Sequence, residues 1–312
     1  MDSKKARIIF MGTPDISAKV FKGLIEDGFN IVALIAQPDR PVGRKKILMP
    51  VPTKVVALEH NIPVYQPEKI RKEYEFVKDL APDVIVTLAY GQIVPQGLLD
   101  IPTIGCINLH GSLLPKYRGA APIQYALINN EKVTGMTLMK MVKEMDAGEM
   151  YDKELVEISS EDNSTSLFNK MGDAALTLIR RALPKYINGE LPGEPQDESL
   201  VTFCPTIKPE EEKLDLNKTK EQLFGYIRAL SDEPGAYLYL DEQKFKIYKS
   251  SIVSDDIIGQ VGEIVKADKG GLYLQTINGL LNLLIIQKEG KNKMDYKPFI
   301  NGNRDLVGKV LK

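Results

Sequence analysis

The sequence predicts an α/β protein: a Rossmann-like, mostly parallel sheet with helices on both faces, then a smaller C-terminal β-barrel of the OB-like kind. Three observations carry this. Short apolar runs alternate with helix-length amphipathic stretches over the first part of the chain. The stretch GELPGEPQDESLVTFCPTIKP at 189–209, rich in Pro, Gly and acid, interrupts that pattern. Beyond it, strand-like runs follow one another, separated by turn residues. A chain of 312 residues exceeds one ordinary core. The expected division is a first domain over 1–189, a linker over 190–208 and a second domain over 209–312.

Residues 7–11, RIIFM, are an apolar run of the buried-strand type and lead into Gly12-Thr13-Pro14. Asp15 or Ser17 can then cap a helix to about residue 27. Residues 30–36, NIVALIA, form a second strand, followed by the irregular basic loop QPDRPVGRKKILMPVP. A helix is expected over 52–59, a short strand at 64–65, a helix over 68–80 and a strand over 83–88. GCINLH at 105–110 is another strand, and 121–129 a helix. Strands over 134–141 and 149–159 and a long amphipathic helix over 165–188 complete the first domain. In the second, a helix over 218–230 precedes strands over 236–240, 244–251, 262–267, 271–278 and 280–287.

Composition narrows the classes. Apolar content of 43% and charged content of 27% are those of a water-soluble globular protein. A net charge of −1 excludes a uniformly basic nucleic-acid binder but leaves room for a local basic patch. Two cysteines, Cys106 and Cys204, cannot build a disulfide scaffold or a four-cysteine zinc site, and two reduced thiols are expected. No apolar run is long enough for a secretory signal or a membrane span.

The motifs divide into bland and chemical ones. Gly12-Thr13-Pro14 sits where a dinucleotide site would carry its glycines, but the full G-x-G-x-x-G is missing and Pro14 lacks an amide donor, so it reads as a tight turn. His60 suits the C-terminal end of a helix, and Cys106 a small core position. Ser112 has no G-x-S-x-G around it, which argues against a serine hydrolase. Asn108 and His110 are different: two apart in a strand, they share one face at its C-terminal end. An Asn amide can donate to a developing oxyanion, and a His can take or give a proton. A buried, backbone-satisfied pair is the alternative. Asp146 lies in the turn MDAG, far along the chain. The loop PDRPVGRKK sets Arg40, Arg44, Lys45 and Lys46 against one carboxylate, Asp39, and suits a phosphate backbone or a solvated surface. The stretch from Lys288 to the C-terminus is also rich in Lys and Arg.

Taken together, these stretches resemble the folate-dependent formyltransferases. NLHGSLLPKYRGAAPI followed by TGMTLMKMVKEMDAGEM is similar to the signature around their active sites. The likeness extends to FMGTPD, QPDRPVGRKK, LAYGQIVP and Pro234-Gly235-Ala236, covering nearly the whole chain. The resemblance implies 10-formyltetrahydrofolate as formyl donor, the α-amine of methionine on initiator tRNA as acceptor, and no metal. It implies Asn108, His110 and Asp146 as the catalytic trio, with Asp146 orienting His110. Ser112, Leu113, Leu114 and Pro115 match the folate-binding loop. Arg40, Arg44, Lys45 and Lys46 fall in the loop that grips the acceptor stem, and the second domain matches the tRNA-binding module. A monomer in a bacterial cytoplasm is implied. Two departures stand out: Arg44 runs directly into Lys45 where members commonly carry a Gly, and Glu233 stands where many have Trp. Rivals are a formyltransferase acting on an amino-sugar nucleotide, a hydrolase using water as acceptor, and a non-catalytic RNA-binding protein.

Overall fold

The computed structural model describes residues 2–42 and 46–312. They form two compact units, one of residues 1–119, 133–157 and 168–204, the other of residues 120–132, 158–167 and 205–312. In chain order the elements up to the second unit's barrel are β1 (Ile8–Gly12), α1 (Asp15–Glu26), β2 (Ile31–Ile35), β3 (Arg40–Val42), β4 (Ile47–Met49), α2 (Pro52–Glu59) and β5 (Val64–Tyr65). There follow α3 (Phe76–Asp79), β6 (Val84–Leu88), α4 (Gln96–Leu99), β7 (Gly105–His110), β8 (Arg118–Gly119) and α5 (Pro122–Ile128). Next come β9 (Val133–Lys140), β10 (Met150–Glu157), α6 (Ser164–Ile187) and β11 (Phe203–Cys204).

Among the described residues the first unit carries a seven-stranded sheet in the order β10-β9-β7-β6-β1-β2-β5. The strands from β7 to β5 are parallel, whereas β9 and β10 join antiparallel. Strand alternation explains the two covered faces. Ile9 and Met11 share a cluster with Ile85 and Cys106, covered by Val77 of α3 and Leu98 and Leu99 of α4. Phe10 turns the other way and stacks on Phe21 of α1, ring centroids 5.1 Å apart. This mostly parallel sheet with helices on both faces is the architecture the periodicity predicts.

Two local expectations are corrected. Residues 68–80 hold only the four-residue helix α3. Side chains tie down the start of the segment. The Glu73 carboxylate accepts the Glu68 and Lys69 amides at 3.2 and 3.1 Å, and Gln92 Oε1 accepts the Ile70 amide at 2.9 Å. Neither Asp15 nor Ser17 caps α1, whose N-cap is Pro14. Ser17 instead donates to Leu88 O at 2.6 Å, pinning the helix start to β6. Gly12 permits that approach: a Cβ there would lie 2.7 Å from both Leu88 O and Ser17 Cβ. The turn is filled by protein, as its bland reading requires.

The second unit contains α7 (Lys220–Leu230), β12 (Ala236–Leu240), β13 (Gln243–Ser254), β14 (Ile264–Asp268), β15 (Gly271–Thr276), β16 (Gly279–Lys288), β17 (Met294–Asp295) and α8 (Tyr296–Gly302). Thr219 caps α7 through a capping box with Gln222. The strands are antiparallel in the order β12-β13-β16-β15-β14, with β17 on β16. The chain's last residues close the barrel. Leu311 donates to Gly262 O beside β14, while Lys312 and Tyr239 of β12 exchange both backbone bonds, at 3.0 and 2.8 Å. One segment thus satisfies both sheet edges. Leu223 and Ile227 of α7 pack with Phe245, Ile247, Leu274 and Leu283 into the barrel core.

Candidate active site

Strands β1, β2, β5, β6 and β7 all end on one edge of the first unit's sheet, where open α/β sheets bind their ligands. The last turn of β7 delivers Asn108 and His110 to it on one face. Asn108 is half-buried, in register between Thr87 of β6 and Met139 of β9. Among the described residues its carboxamide has no hydrogen-bond partner. A polar group so placed is free for whatever occupies the edge.

His110 is 5% exposed. Its Nε2 lies 2.8 Å from Tyr117 O, and since a carbonyl only accepts, Nε2 carries the hydrogen and donates. Nδ1 then faces Asp146, whose Oδ1 is 3.6 Å away. The structure therefore brings Asp146, distant in sequence, against His110.

Asp146 is held by a small network. Its backbone φ is +51°, a conformation that Asp tolerates better than most residues. Oδ2 accepts the Gly119 amide at 2.9 Å. Gln196 Nε2 donates to the carbonyls of Asp146 and Gly148 at 2.7 and 2.8 Å, gripping the turn from both ends. The buried Arg118 donates to Gln196 Oε1 at 3.0 Å and to the Glu198 carboxylate at 2.7 and 3.3 Å. A Cβ at position 148 would sit 1.9 Å from Lys140 O, so the turn closes on β9 only with glycine. The sequence reading missed Arg118, Tyr117 and Gln196. Gln196 lies in PQDES, which has a linker's composition, and nothing local marks it as part of a site.

Ser112, Leu113, Leu114 and Pro115 follow directly from β7. Ser112 is fully buried and donates to Lys116 O at 2.6 Å. Thr137 of β9 donates to Ser112 O at 2.6 Å and accepts the Leu114 amide at 3.2 Å, and Lys153 Nζ donates to Leu114 O at 2.7 Å. The loop is thus tied to the β9–β10 pair at three points, beside the trio.

Of the basic-loop residues, Arg40 and Lys46 are exposed on or beside the β3–β4 hairpin, and Arg44 and Lys45 lie outside the described residues. Ile47, Leu48 and Met49 are exposed at 58, 65 and 52%. Beneath the hairpin, Asp39 binds Lys54 and Gln66. Burial pushes its carboxyl up, but hydrogen bonds from Lys54, Gln66 and the Val51 amide together hold it below the usual range. His60 is the exposed C-cap of α2.

Both cysteines are buried and neither is in a disulfide. Burial, aided by the charge of Asp100, pushes the Cys106 thiol up to about 12. At pH 8 it stays protonated in the folded protein. Mass spectrometry after brief iodoacetamide treatment is expected to show Cys106 unmodified until denaturant is added; native labelling at that residue would contradict its placement. Among the described residues no group of three or more His, Cys, Asp or Glu is arranged to hold a metal, and no helix is long and apolar enough to cross a membrane.

Comparison with known proteins identifies the family. The sequence pattern of the formyl transferase family matches residues 5–183, and that of the formyl transferase C-terminal domain matches residues 206–304. The chain is 45% identical over 308 residues to "Methionyl-tRNA formyltransferase" of Bacillus subtilis, covering 98% of this chain and 97% of that one. It is 47% identical over 308 residues to the protein of the same name from Streptococcus pneumoniae, with the same coverage. Among solved structures, an N-formyltransferase from Helicobacter canadensis in complex with folinic acid and dTDP-3-aminofucose shares the fold at TM-score 0.65 and 20% identity, over 90% of this chain and 98% of that one. On the match of both halves and on near-full-length identity of this order, the chain belongs to the formyl transferase family, enzymes that move a one-carbon group.

Proposed function

We infer that this enzyme transfers the formyl group of 10-formyltetrahydrofolate to the α-amine of methionine carried by initiator tRNA. The observation that carries the chemistry is the convergence of Asn108, His110 and Asp146 on the sheet's ligand-binding edge. The near-full-length likeness to methionyl-tRNA formyltransferases selects the acceptor.

The amine nitrogen attacks the formyl carbon, a C–N bond forms, and the carbonyl oxygen becomes an oxyanion. An unperturbed α-amine titrates at about 7.7–8.0, so a useful fraction is neutral near pH 7 without a strong base. Asn108, whose carboxamide has no hydrogen-bond partner among the described residues, donates to the oxyanion. His110 has Nε2–H committed to Tyr117 O, so Nδ1 is the ring atom left to exchange the amine's proton. Asp146 orients the ring and offsets the charge as it forms. Collapse of the intermediate breaks the carbon–N10 bond, and N10 leaves with a proton. Ser112, Leu113, Leu114 and Pro115 wall the folate, and no metal takes part. Residues 1–189 act as the catalytic domain, with 190–208 linking it to a tRNA-binding barrel over 209–312. The setting this implies is a bacterial cytoplasm.

Arg40, Arg44, Lys45 and Lys46 meet phosphates of the acceptor stem. Neutralising two of them is expected to weaken tRNA binding uniformly and to reduce the slope of log affinity against log salt by roughly one per charge; an unchanged slope would remove the loop from the interface. The reading as a whole is tested by formyl transfer to methionine-charged initiator tRNA, charged elongator tRNA and an amino-sugar nucleotide in parallel. Transfer confined to the initiator supports it, and transfer to the sugar alone refutes the acceptor.

A further inference from the structure

In register across the first unit's sheet stand Met11 of β1, Thr87 of β6, Asn108 of β7 and Met139 of β9. Residues paired in this way point to one face. The row is therefore two polar side chains flanked by two methionines. Met11 and Met139 are buried and carry only thioether sulfur, a weak acceptor. Thr87 is itself 5% exposed, and its Oγ1 is buried with no hydrogen-bond partner among the described residues. The Asn108 carboxamide is without one as well. Leaving a buried hydroxyl unsatisfied is costly, and most such groups in folded proteins are bonded. The neighbouring row shows the contrast: Thr137 of β9 both donates to Ser112 O and accepts the Leu114 amide. Thr87 thus stands beside a catalytic side chain with its hydrogen-bonding capacity uncommitted.

We propose that Thr87 is a positioning residue for Asn108, its Oγ1 donating to Asn108 Oδ1 as the tetrahedral oxyanion takes the amide hydrogens. The proposal rests on the reading of Asn108 as oxyanion donor and extends it to the group that aims it. A carboxamide presents either its oxygen or its NH2 to a ligand. Only the NH2 stabilises an oxyanion; the oxygen repels it. With Nδ2 on the oxyanion, Oδ1 is left for a neighbour, and in its row Thr87 alone carries a donor. Neighbouring strands lie about 4.8 Å apart, a spacing across which paired side chains hydrogen-bond. The hydroxyl hydrogen turns about the C–O bond to suit its acceptor. The contact is not made in this structure; catalytic hydrogen bonds commonly tighten only once the reacting groups are bound. Donation to Oδ1 polarises the amide and strengthens what Nδ2 gives to the oxyanion. A bond made only in the transition state raises kcat and leaves substrate binding alone.

Thr87→Val keeps the shape and removes the hydroxyl. Its single-turnover rate at saturating donor and acceptor is expected to fall about three- to tenfold, the worth of one net hydrogen bond, with KM for both substrates unchanged. Its melting temperature should hold or rise, because the substitution removes an unsatisfied buried group. Thr87→Ser keeps the hydroxyl and is expected to stay within about twofold of wild type, well inside the worth of that bond. Thr87→Ala is a second hydroxyl-free variant and must show the same loss of rate as Thr87→Val. A double-mutant cycle ties the effect to the amide: in an Asn108→Ala background, Thr87→Val should cost nothing further. Wild-type turnover in Thr87→Val overturns the proposal. So does a loss that persists in the Asn108→Ala background, or one that Thr87→Ser shares. If Asn108→Ala itself turns over like wild type, the oxyanion reading has failed and Thr87 has nothing to aim. If Thr87→Val alone does, that reading stands and only the positioning role falls.

Discussion

Asn108→Ala and His110→Ala are each expected to lower kcat for formyl transfer by about 10²–10³-fold, the loss of roughly 2.7–4 kcal/mol of transition-state stabilisation. Both proteins should keep their circular dichroism and melt within a few degrees of wild type. For Asn108 the physical reason is that its carboxamide makes no hydrogen bond to the described protein, so truncation removes no contact of the fold. For His110, loss of the ring takes the Nε2 donor from Tyr117 O, but Cys204 Sγ also donates to that carbonyl, at 3.1 Å. The hydrogen-bond part of the stability cost is therefore about 1 kcal/mol. His110→Gln separates the two duties of the ring, since an amide can still donate to Tyr117 O but cannot carry the proton. Single-turnover assays with saturating donor and acceptor read the chemical step directly. Turnover within about threefold of wild type in either alanine variant would remove that residue from the mechanism.

Asp146→Asn is expected to cost about 10²–10⁴-fold in kcat, the range that a positioned acid–base group contributes. The substitution is close to isosteric. Asn can still accept the Gly119 amide, and the backbone carbonyl still receives Gln196. What it loses is the charge 3.6 Å from His110 Nδ1. KM for both substrates should stay near wild type, because the interaction is needed only as the proton moves. Gln196→Ala tests the network behind it. It leaves the carboxylate in place but frees the turn, and its effect should be smaller and on the same parameter. An Asp146→Asn enzyme of normal kcat would show that the carboxylate only holds the loop.

Parts of this were legible in the chain itself. The apolar runs at Ile8–Gly12, Ile31–Ile35 and Val84–Leu88 give buried parallel strands because strands covered on both faces carry no alternation. Asn108 and His110 share a face because strand geometry has period two. The segment 68–80 was not legible as irregular, since its composition is helical, and it holds only the four-residue helix α3. Short pairings such as Arg118–Gly119 with Phe203–Cys204 leave no periodic trace at all.

The sequence by itself determined the periodicities, and through them the α/β and barrel architectures, the strand that ends in Asn and His, and a motif specific enough to mark a family. These are local properties, set by backbone geometry and by which side chains can leave water. Only the tertiary structure decided that Asp146 faces His110 Nδ1, that Tyr117 O fixes which ring nitrogen bears the hydrogen, and that Gln196 and Arg118 stand behind the carboxylate. Each of these depends on which loops the sheet order brings together, and that order is a property of the packed whole that no stretch of residues contains.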